Sequence, residues 1–128
     1  MATRMILKNG DPQLRKHCHE VKDFNPRLHM LLDDMRQTLA ESNGVGLAAP
    51  QVGILRRVVV MDCGDGLIEA INPVIISASG EQGDLEGCLS FPGKSGYVVR
   101  PNHVVMRAYD RDGSLIEYEA EGLLARCI

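Results

Sequence analysis

From Arg56 onward the sequence is a series of short segments rich in valine and isoleucine, separated by glycine, proline and asparagine. Such β-branched segments favour strands, and the four clearest are RRVVVMD, EAINPVIIS, GYVVRP and HVVMRAYD. The turn sequence DRDGS, between VVMRAY and LIEYEA, predicts a β-hairpin. Because helical segments do not alternate with these strands, an α+β fold with mostly antiparallel strands is favoured over a parallel α/β sheet.

One long helix is predicted in the N-terminal part, from Pro26 to Ser42. Leucine and methionine recur there on one face, Asn25 is suited to the N-cap, and proline is suited to the first helical position. Asn43 and Gly44 offer a left-handed C-cap that would end the helix. The stretch GVGLAAPQVG comes next, and its glycines and proline predict a loop.

A second helix is predicted at the C-terminal end, in EAEGLLARCI. Its apolar side chains fall on one face: Leu123, Leu124, Cys127 and Ile128. The pattern stops on an apolar residue, without the glycine, asparagine or basic cap that commonly ends a helix. A length of 128 residues suffices for one hydrophobic core but not for two domains. We therefore expect residues 1–128 to form a single domain that is incomplete at its C-terminus.

Charge and composition exclude several classes of function. The net charge is −3 with acidic and basic residues interspersed, so the sequence lacks the basic patch of a nucleic-acid or anionic-membrane binder. No apolar run approaches the roughly 20 residues that cross a bilayer. The first residues lack the pattern of a secretory signal or transit peptide, so a cytoplasmic location is expected. The four cysteines have no CxxC spacing and predict no disulfide framework in a reducing compartment.

The stretch GVGLAA formally matches the dinucleotide-binding pattern GxGxxG/A. That pattern needs a strand before it and a helix after it, whereas here a helix precedes and Pro50 follows. Two interpretations are left. In the functional one, the glycines let the backbone approach an extended ligand and the Gln51 amide adds a polar group. In the structural one, the segment is a tight turn in which Gln51 only satisfies a backbone group.

The segment LEGCLSFPG, which contains Cys88, permits three interpretations. An isolated buried cysteine is commonly an inert apolar residue of a core. A nucleophilic thiol would need a histidine base, and the sequence alone does not place any of the four histidines beside Cys88: His17, His19, His29 and His103. A metal-bound thiolate would need further ligands and a supporting shell, to which Glu86 is able to contribute.

Three other polar residues or groups are candidates for a site. The HCH sequence at His17 to His19 suggests a metal, but neighbouring residues rarely complete a metal site and the segment around them is polar, so a solvated surface is favoured. His103 begins a strand among valines, which favours a structural role. Arg100, after YVV, is suited to pair with a carboxylate or to cap a strand edge.

Taken together, GVGLAAPQVG and EGCLSFPG resemble the peptide deformylase family, whose members remove the formyl group from the initiator methionine of new bacterial proteins. The first segment matches the family motif glycine-hydrophobic-glycine-hydrophobic-Ala-Ala-x-Gln, and the second matches Glu-Gly-Cys-hydrophobic-Ser. GDPQLR, the pair Asn72-Pro73 and EGLLAR also fit, so the similarity covers essentially the whole chain. The resemblance implies a cytoplasmic, metal-dependent hydrolase of protein biosynthesis, with mostly antiparallel strands around a C-terminal helix.

The resemblance also implies roles for individual residues at the reaction centre. Cys88 would be a thiolate ligand of a divalent metal, typically iron(II), with zinc, nickel or cobalt able to occupy the site. The metal would acidify a bound water and polarise the formyl carbonyl. The side-chain amide of Gln51 and the backbone N–H of Leu89 would stabilise the developing oxyanion.

The same resemblance implies how the substrate is held. The peptide would lie like an added strand along Gly46, and Val45 would help to line the methionine pocket. Gly87 would leave room for metal and substrate. Glu86 and Arg100 would brace the loop around the metal ligand.

The family's third motif, Gln-His-Glu-x-x-Asp-His, supplies two histidine ligands and the glutamate that transfers protons, and it would begin directly after Ile128. No histidine follows His103, so one of the family's three protein metal ligands is present. Three hypotheses follow. The chain is a fragment of an ordinary enzyme, or a shortened and catalytically inactive relative that binds peptides or a protein partner. In the third, existing histidines rebuild the metal site within the chain or across a dimer: His17, His19 or His103.

The implied partners are an N-formyl-methionyl nascent peptide and the ribosome exit region from which it emerges. Neither a nucleic-acid-binding motif nor a membrane segment is present in the sequence. A chain ending at Ile128 would expose the apolar groove that the rest of the C-terminal helix would fill. We therefore expect marginal stability or oligomerisation through that groove.

Overall fold

The computed structural model describes residues 2–128. They form two α-helices, seven strands and two short 3₁₀ turns. In chain order the elements are the turn Pro12–Arg15, α1 Pro26–Ala40, β1 Gly46–Ala48, the turn Ala49–Val52, β2 Val58–Asp62, β3 Leu67–Ser79, β4 Gln82–Cys88, β5 Phe91–Arg100, β6 His103–Tyr109, β7 Leu115–Glu121 and α2 Gly122–Cys127.

The strands form two antiparallel units. Five of them make a sheet in the order β1-β2-β3-β6-β7, while β4 and β5 pair only with each other as a separate hairpin. The predicted antiparallel α+β architecture is therefore confirmed. The DRDGS hairpin is also confirmed, because β6 and β7 pair from Tyr109 with Leu115 onward and Gly113 supplies the positive φ of 83° that the turn needs.

Helix α1 begins as predicted and ends earlier than predicted. The Asn25 side chain accepts the Leu28 N–H at 3.1 Å, and Pro26 occupies the first helical position. The helix stops at Ala40, and the chain leaves it through Glu41, at φ −89° and ψ 4°. The predicted left-handed cap at Asn43 and Gly44 is wrong. At 15 residues the helix is of ordinary length, so the description of a long N-terminal helix is too strong.

Two strands lie where the sequence did not predict them. GVGLAAPQVG is not a loop throughout, because β1 pairs Gly46 with Met61 and Ala48 with Val59 before the 3₁₀ turn begins. The glycine-rich and acidic QGDLEGC forms β4 by pairing with β5 along its whole length. In both cases the partner strand overrides the weak β-propensity of the local sequence.

The five-stranded sheet is covered on both faces. Successive residues of a strand point to opposite faces, and in β2 Val58 and Val60 face α1 whereas Met61 faces α2. The α1 side holds most of the largest buried side chains, which include Leu28, Leu32, Met35 and Ile71. On the α2 side, three predicted apolar residues pack on the sheet: Leu124, Cys127 and Ile128.

Leu123 does not join this face, contrary to the prediction for the C-terminal helix. It is 48% exposed and borders the groove beside α2. Helix α2 has only six residues and starts at Gly122, directly after β7 ends at Glu121, so Leu123 lies in its first turn. Across residues 2–128, no helix combines the length and apolar character needed to span a bilayer.

Candidate functional site

A groove of about 980 Å³ lies between β1 and the β4–β5 hairpin. Its first wall is the segment of residues 45–51, which contains β1 and Gln51, and its second wall is the β4–β5 hairpin, with Cys88 and Leu89 at the end of β4. Helix α2 contributes Arg126 and Cys127 to the same groove. The two sequence motifs, distant in sequence, therefore face one cavity.

The Gln51 side chain is fixed at both ends of its amide. Its Oε1 accepts the Ala48 backbone N–H at 3.0 Å, so its Nε2 is directed across the groove. There Nε2 donates to Ser90 Oγ at 3.2 Å and lies 3.9 Å from Cys88 Sγ. The first of these contacts is an ordinary hydrogen bond, whereas the second is long and weak.

Cys88 is an exposed thiol at the end of β4. It pairs with Phe91 across the turn formed by Leu89 and Ser90, and a register shift separates it from Gly87. The shift turns the strand end out of the regular hairpin ladder, as bulges commonly do next to functional sites. Ser90 is only 2% exposed, so its hydroxyl anchors the turn beneath the Gln51 amide.

Glycines allow the parts of the groove to approach closely. A Cβ on Gly44 would lie 2.9 Å from Leu89 Cδ1, and a Cβ on Gly46 would lie 2.8 Å from Cys127 Sγ. A methyl group at either position would displace the Leu89 or Cys127 side chain, so glycine is favoured there by contact rather than by an unusual backbone angle. At Gly87 a Cβ would meet the Lys94 carbonyl oxygen at 3.6 Å, an ordinary contact, so packing within the chain does not require glycine there.

The segment Leu7–Asn9 ties the two walls together. The Leu7 N–H donates to the Gln51 carbonyl and the Asn9 N–H donates to the Ser90 carbonyl, both at 2.7 Å. Lys8 Nζ donates to the Leu89 carbonyl at 3.2 Å. One short extended segment thus holds the main chain on either side of the groove.

An ion-pair cluster braces β4 behind the thiol. Arg100 Nε donates to Glu86 Oε2 at 2.7 Å, and a second nitrogen, Nη2, donates to Oε1 at 2.8 Å. Arg126 Nε donates to the same Oε2 at 3.3 Å. The hydrogen bonds from Arg100, followed by those from Arg126, outweigh burial and lower the pKa of Glu86 below its ordinary 4.5. The carboxylate is therefore charged at neutral pH.

The Cys127 thiol is neutral under the same conditions. Burial, with a smaller contribution from Cys63, raises its pKa from 9.0 to about 12. Its S–H donates to the Val45 carbonyl at 3.7 Å, and that carbonyl also accepts the Asp62 N–H at 2.8 Å. Val45 itself is 38% exposed and lines the groove. This end of the groove is consequently suited to an apolar group.

The described histidines are engaged away from the groove. His29 Nε2 contacts the Arg111 carbonyl at 2.7 Å, and His103 Nε2 lies 2.7 Å from Glu119 Oε1. The His17–His19 segment is at the surface, where His19 forms a β-bridge with Arg56. None of these side chains is a lining residue of the groove. A histidine-activated Cys88 nucleophile therefore gains no support from the structure.

Cys88 is the candidate metal ligand in the groove. Cys88 offers an accessible thiol, a donor that suits zinc and iron. Within residues 2–128, however, no group of three histidine, cysteine, aspartate or glutamate side chains is placed to hold a metal ion. The residues fit one coordination position and not a complete centre.

All the site residues named from the sequence lie at or beside this groove: Val45, Gly46, Gln51, Glu86, Gly87, Cys88, Leu89 and Arg100. Sequence reasoning did not identify Arg126, Lys8 or the buried Ser90 as parts of the site. The only signal for Ser90 was its place in the second motif. Lys8 joins the site by contacting Leu89, which is 81 positions away in sequence, and Arg126 by contacting Glu86, which is 40 positions away. A local sequence pattern does not reveal such distant contacts.

Comparison with known proteins places the chain beside the polypeptide deformylases. The profile for polypeptide deformylase matches residues 3–128. The peptide deformylase of Agathobacter rectalis is 56% identical over 128 residues, which are 100% of this chain and 81% of the relative.

Solved structures agree with that result. The crystal structure of a peptide deformylase from Legionella pneumophila is similar with a TM-score of 0.95 and 43% identity, covering 98% of this chain and 76% of that one. A peptide deformylase from Synechococcus elongatus in complex with actinonin gives a TM-score of 0.91 and 37% identity, covering 95% and 68%. The range of the family match, residues 3–128, includes both walls of the groove.

Proposed function

The chain belongs to the polypeptide deformylase family, and from this membership we propose that its groove holds an N-formyl-methionyl peptide for removal of the formyl group. Members of the family use a divalent metal to hydrolyse formyl-methionyl peptides to methionyl peptides and formate. The observation that carries the proposal is the approach of Gln51 Nε2 to Cys88 Sγ, 3.9 Å apart, inside the groove.

Gln51 is proposed to bind the formyl oxygen as the carbonyl becomes tetrahedral. A primary amide has two N–H donors, and one of them is used by Ser90 Oγ. The other is free to reach an oxygen beside Cys88, because the contact with the sulfur is too long to hold it. The Leu89 backbone N–H, one residue beyond the thiol, is the second proposed donor. Donors fixed in advance stabilise a developing oxyanion by a few kcal/mol each, about 3 to 4 in a measured case.

The peptide is proposed to bind along β1. This strand is at the edge of the sheet, with β2 on one side only, so the outer backbone groups around Gly46 are suited to pair with an extended peptide. The methionine side chain would then lie against Val45 and the neutral Cys127 thiol. An unbranched thioether side chain suits such an apolar and irregular space.

Cys88 is proposed as the thiolate ligand of the family's metal. The family resemblance favours iron(II), and a thiolate also suits zinc(II) or nickel(II). Glu86 and Arg100 are proposed to support the ligand by fixing β4 behind it, since neighbouring hydrogen bonds orient metal ligands. Gly87 is proposed to leave space for the metal and the substrate, since within the chain a Cβ there would make only an ordinary 3.6 Å contact with the Lys94 carbonyl oxygen.

Deformylation of a formyl-methionyl tripeptide tests the proposal. The chain would be loaded with iron(II) without oxygen, and formate release would be measured for the parent, Cys88→Ser, Gln51→Ala and the control Cys18→Ser, which changes a cysteine outside the groove. Because the groove of the described residues offers one coordination position, we expect slow formate release in the parent and the control, and a further loss of about a hundredfold or more in the two groove variants. Cobalt(II) absorbance in the thiolate charge-transfer region provides a second readout of metal binding by Cys88.

Two outcomes would contradict the assignment. Activity that survives in Cys88→Ser would show that the thiol is not a metal ligand of the reaction. Absence of formate release in the parent, together with absence of the cobalt band, would favour a chain that is not itself catalytic.

A further inference from the structure

Two adjacent residues of α2 contact opposite walls of the groove. Arg126 donates to the second wall, reaching Glu86 Oε2, Asp84 Oδ2 and the Leu85 carbonyl, each at 3.3 Å. The thiol of Cys127 donates to the Val45 carbonyl on the first wall at 3.7 Å. Because these two side chains leave neighbouring positions of one helix, α2 spans the distance between the walls.

On the second wall, the ion pair of Arg126 with Glu86 is largely withdrawn from water, whereas its partner Asp84 is 65% exposed. The Arg126 side chain is 13% exposed, whereas that of Arg107, paired with Glu117 on the open sheet, is 49% exposed. Screening by solvent weakens the exposed pair and weakens the sheltered cluster much less. Replacing Arg126 should therefore weaken the attachment of β4 more than replacing Arg107 weakens its own strand.

Few other groups hold the middle of the hairpin. Its base is attached where Gln82 Nε2 donates to the Gly122 carbonyl at 2.8 Å, and its turn is attached by Ser90 and Leu89. Between these points, the apolar side chains of β4 and β5 turn to solvent, as Leu85 and Val99 do. Arg126 thus acts on the stretch of β4 that leads to the thiol.

We propose that Arg126 is a positioning residue that holds residues 84–86 of β4, the part of the second wall that the Leu7–Asn9 segment does not tie, at their distance from Gly46 on the first wall. This inference rests on the proposed function, because it takes the groove as the peptide site. The planar guanidinium matches the task, since donors on three separate nitrogens reach acceptors on three residues, whereas a lysine ammonium carries all its donors on one nitrogen and spans less distance.

The test compares Arg126→Met and Arg126→Lys with the matched control Arg107→Met. Hydrogen–deuterium exchange is followed in residues 82–100 without ligand, and the affinity for N-formyl-Met-Ala-Ser is measured by calorimetry without added metal. In Arg126→Met we expect exchange within β4 to be about tenfold faster and peptide affinity to be about tenfold lower, the effect of losing one charge-assisted hydrogen bond. Arg126→Lys should fall between, and Arg107→Met should match the parent chain.

The outcomes separate this inference from the proposed function. Unchanged exchange in β4 of Arg126→Met overturns the inference, and so does faster exchange with unchanged peptide affinity. If the parent chain does not bind the peptide, the proposed function fails. The exchange data then decide only whether Arg126 holds β4 in place, which it does if β4 loosens in Arg126→Met but not in Arg107→Met, and the link of this contact to peptide binding is overturned. Should Arg126→Met not fold, the same comparison is made with Arg126→Lys.

Discussion

The two walls of the groove are held by different forces. The first wall is part of the hydrophobic core, where Leu47 is 2% exposed and Ala49 is fully buried against α1 and its neighbours. The second wall is a two-stranded hairpin whose apolar side chains are largely exposed, with Leu85 at 63% and Tyr97 at 69%. A two-stranded hairpin is marginally stable by itself, so the second wall depends on its attachments.

Because the two walls are stabilised differently, they suit different functional groups. Burial fixes the first wall as part of the cooperative core, which suits the backbone and amide donors at Gly46 and Gln51. Directional hydrogen bonds and ion pairs fix the second wall, which suits a thiol whose orientation must be set locally. We expect stability to respond mainly to the first wall, and ligand affinity to respond to both.

The largest effect is expected from shortening a core residue of the first wall. Leu47→Ala removes most of a buried side chain and should lower the free energy of unfolding by about 2 to 5 kcal/mol. Leu85→Ala, in the exposed hairpin, should change it by less than about 0.5 kcal/mol. Urea denaturation of both variants checks the contrast, and losses of similar size would mean that the two walls share one core.

A smaller effect is expected where the first wall touches α2. Gly46→Ala places a methyl group within 2.8 Å of Cys127 Sγ, and such overpacking typically costs about 1 to 3 kcal/mol. Replacing the thiol as well, in Gly46→Ala with Cys127→Ala, should recover most of the loss. Thermal denaturation of both single variants and the double variant gives the coupling. Independent, additive losses would argue against a direct contact at this point.

The contribution of the second wall to the free energy of unfolding should depend on pH through Glu86. Its folded-state pKa is lowered from 4.5, chiefly by Arg100, so the unfolded chain binds a proton more readily and stability rises with pH. The contribution of Glu86 is therefore present above pH 4.5 and is lost as pH falls below that value through the folded-state pKa. Asp34 follows the same direction, since the Ala2 N–H and Arg4 lower its pKa.

Comparison with Glu86→Gln isolates the Glu86 contribution from that of Asp34. At neutral pH the parent chain should exceed the variant by about 1 kcal/mol in unfolding free energy, the usual size for a charge-assisted hydrogen-bond cluster near the surface. The difference should shrink towards zero in acid. Urea denaturation at a series of pH values measures it, and a gap that widens as pH falls would reverse the sign of the proposed linkage.

The same contrast explains what the sequence predicts well and what it does not. Helix α1, β2 and the β6–β7 hairpin follow from apolar periodicity and turn residues, because burial imposes both patterns. Strand β4 carries no such pattern, since its side chains meet solvent and its pairing with β5 is what makes it a strand. Gln51 and Cys88 belong to recognisable motifs, whereas Arg126 enters the site only by three-dimensional contact.

The smallest effect is expected from Lys8, although it contacts the turn beside Cys88. Its ammonium donates to the Leu89 carbonyl at 3.2 Å from an exposed position, where a hydrogen bond competes with water. Two main-chain bonds, from Leu7 to Gln51 and from Asn9 to Ser90, tie the walls whatever the side chain between them. Lys8→Met should therefore change the free energy of unfolding by less than about 0.5 kcal/mol and leave exchange in the turn near that of the parent. A loss above about 1 kcal/mol would show that the side chain, and not the main chain, joins the two walls.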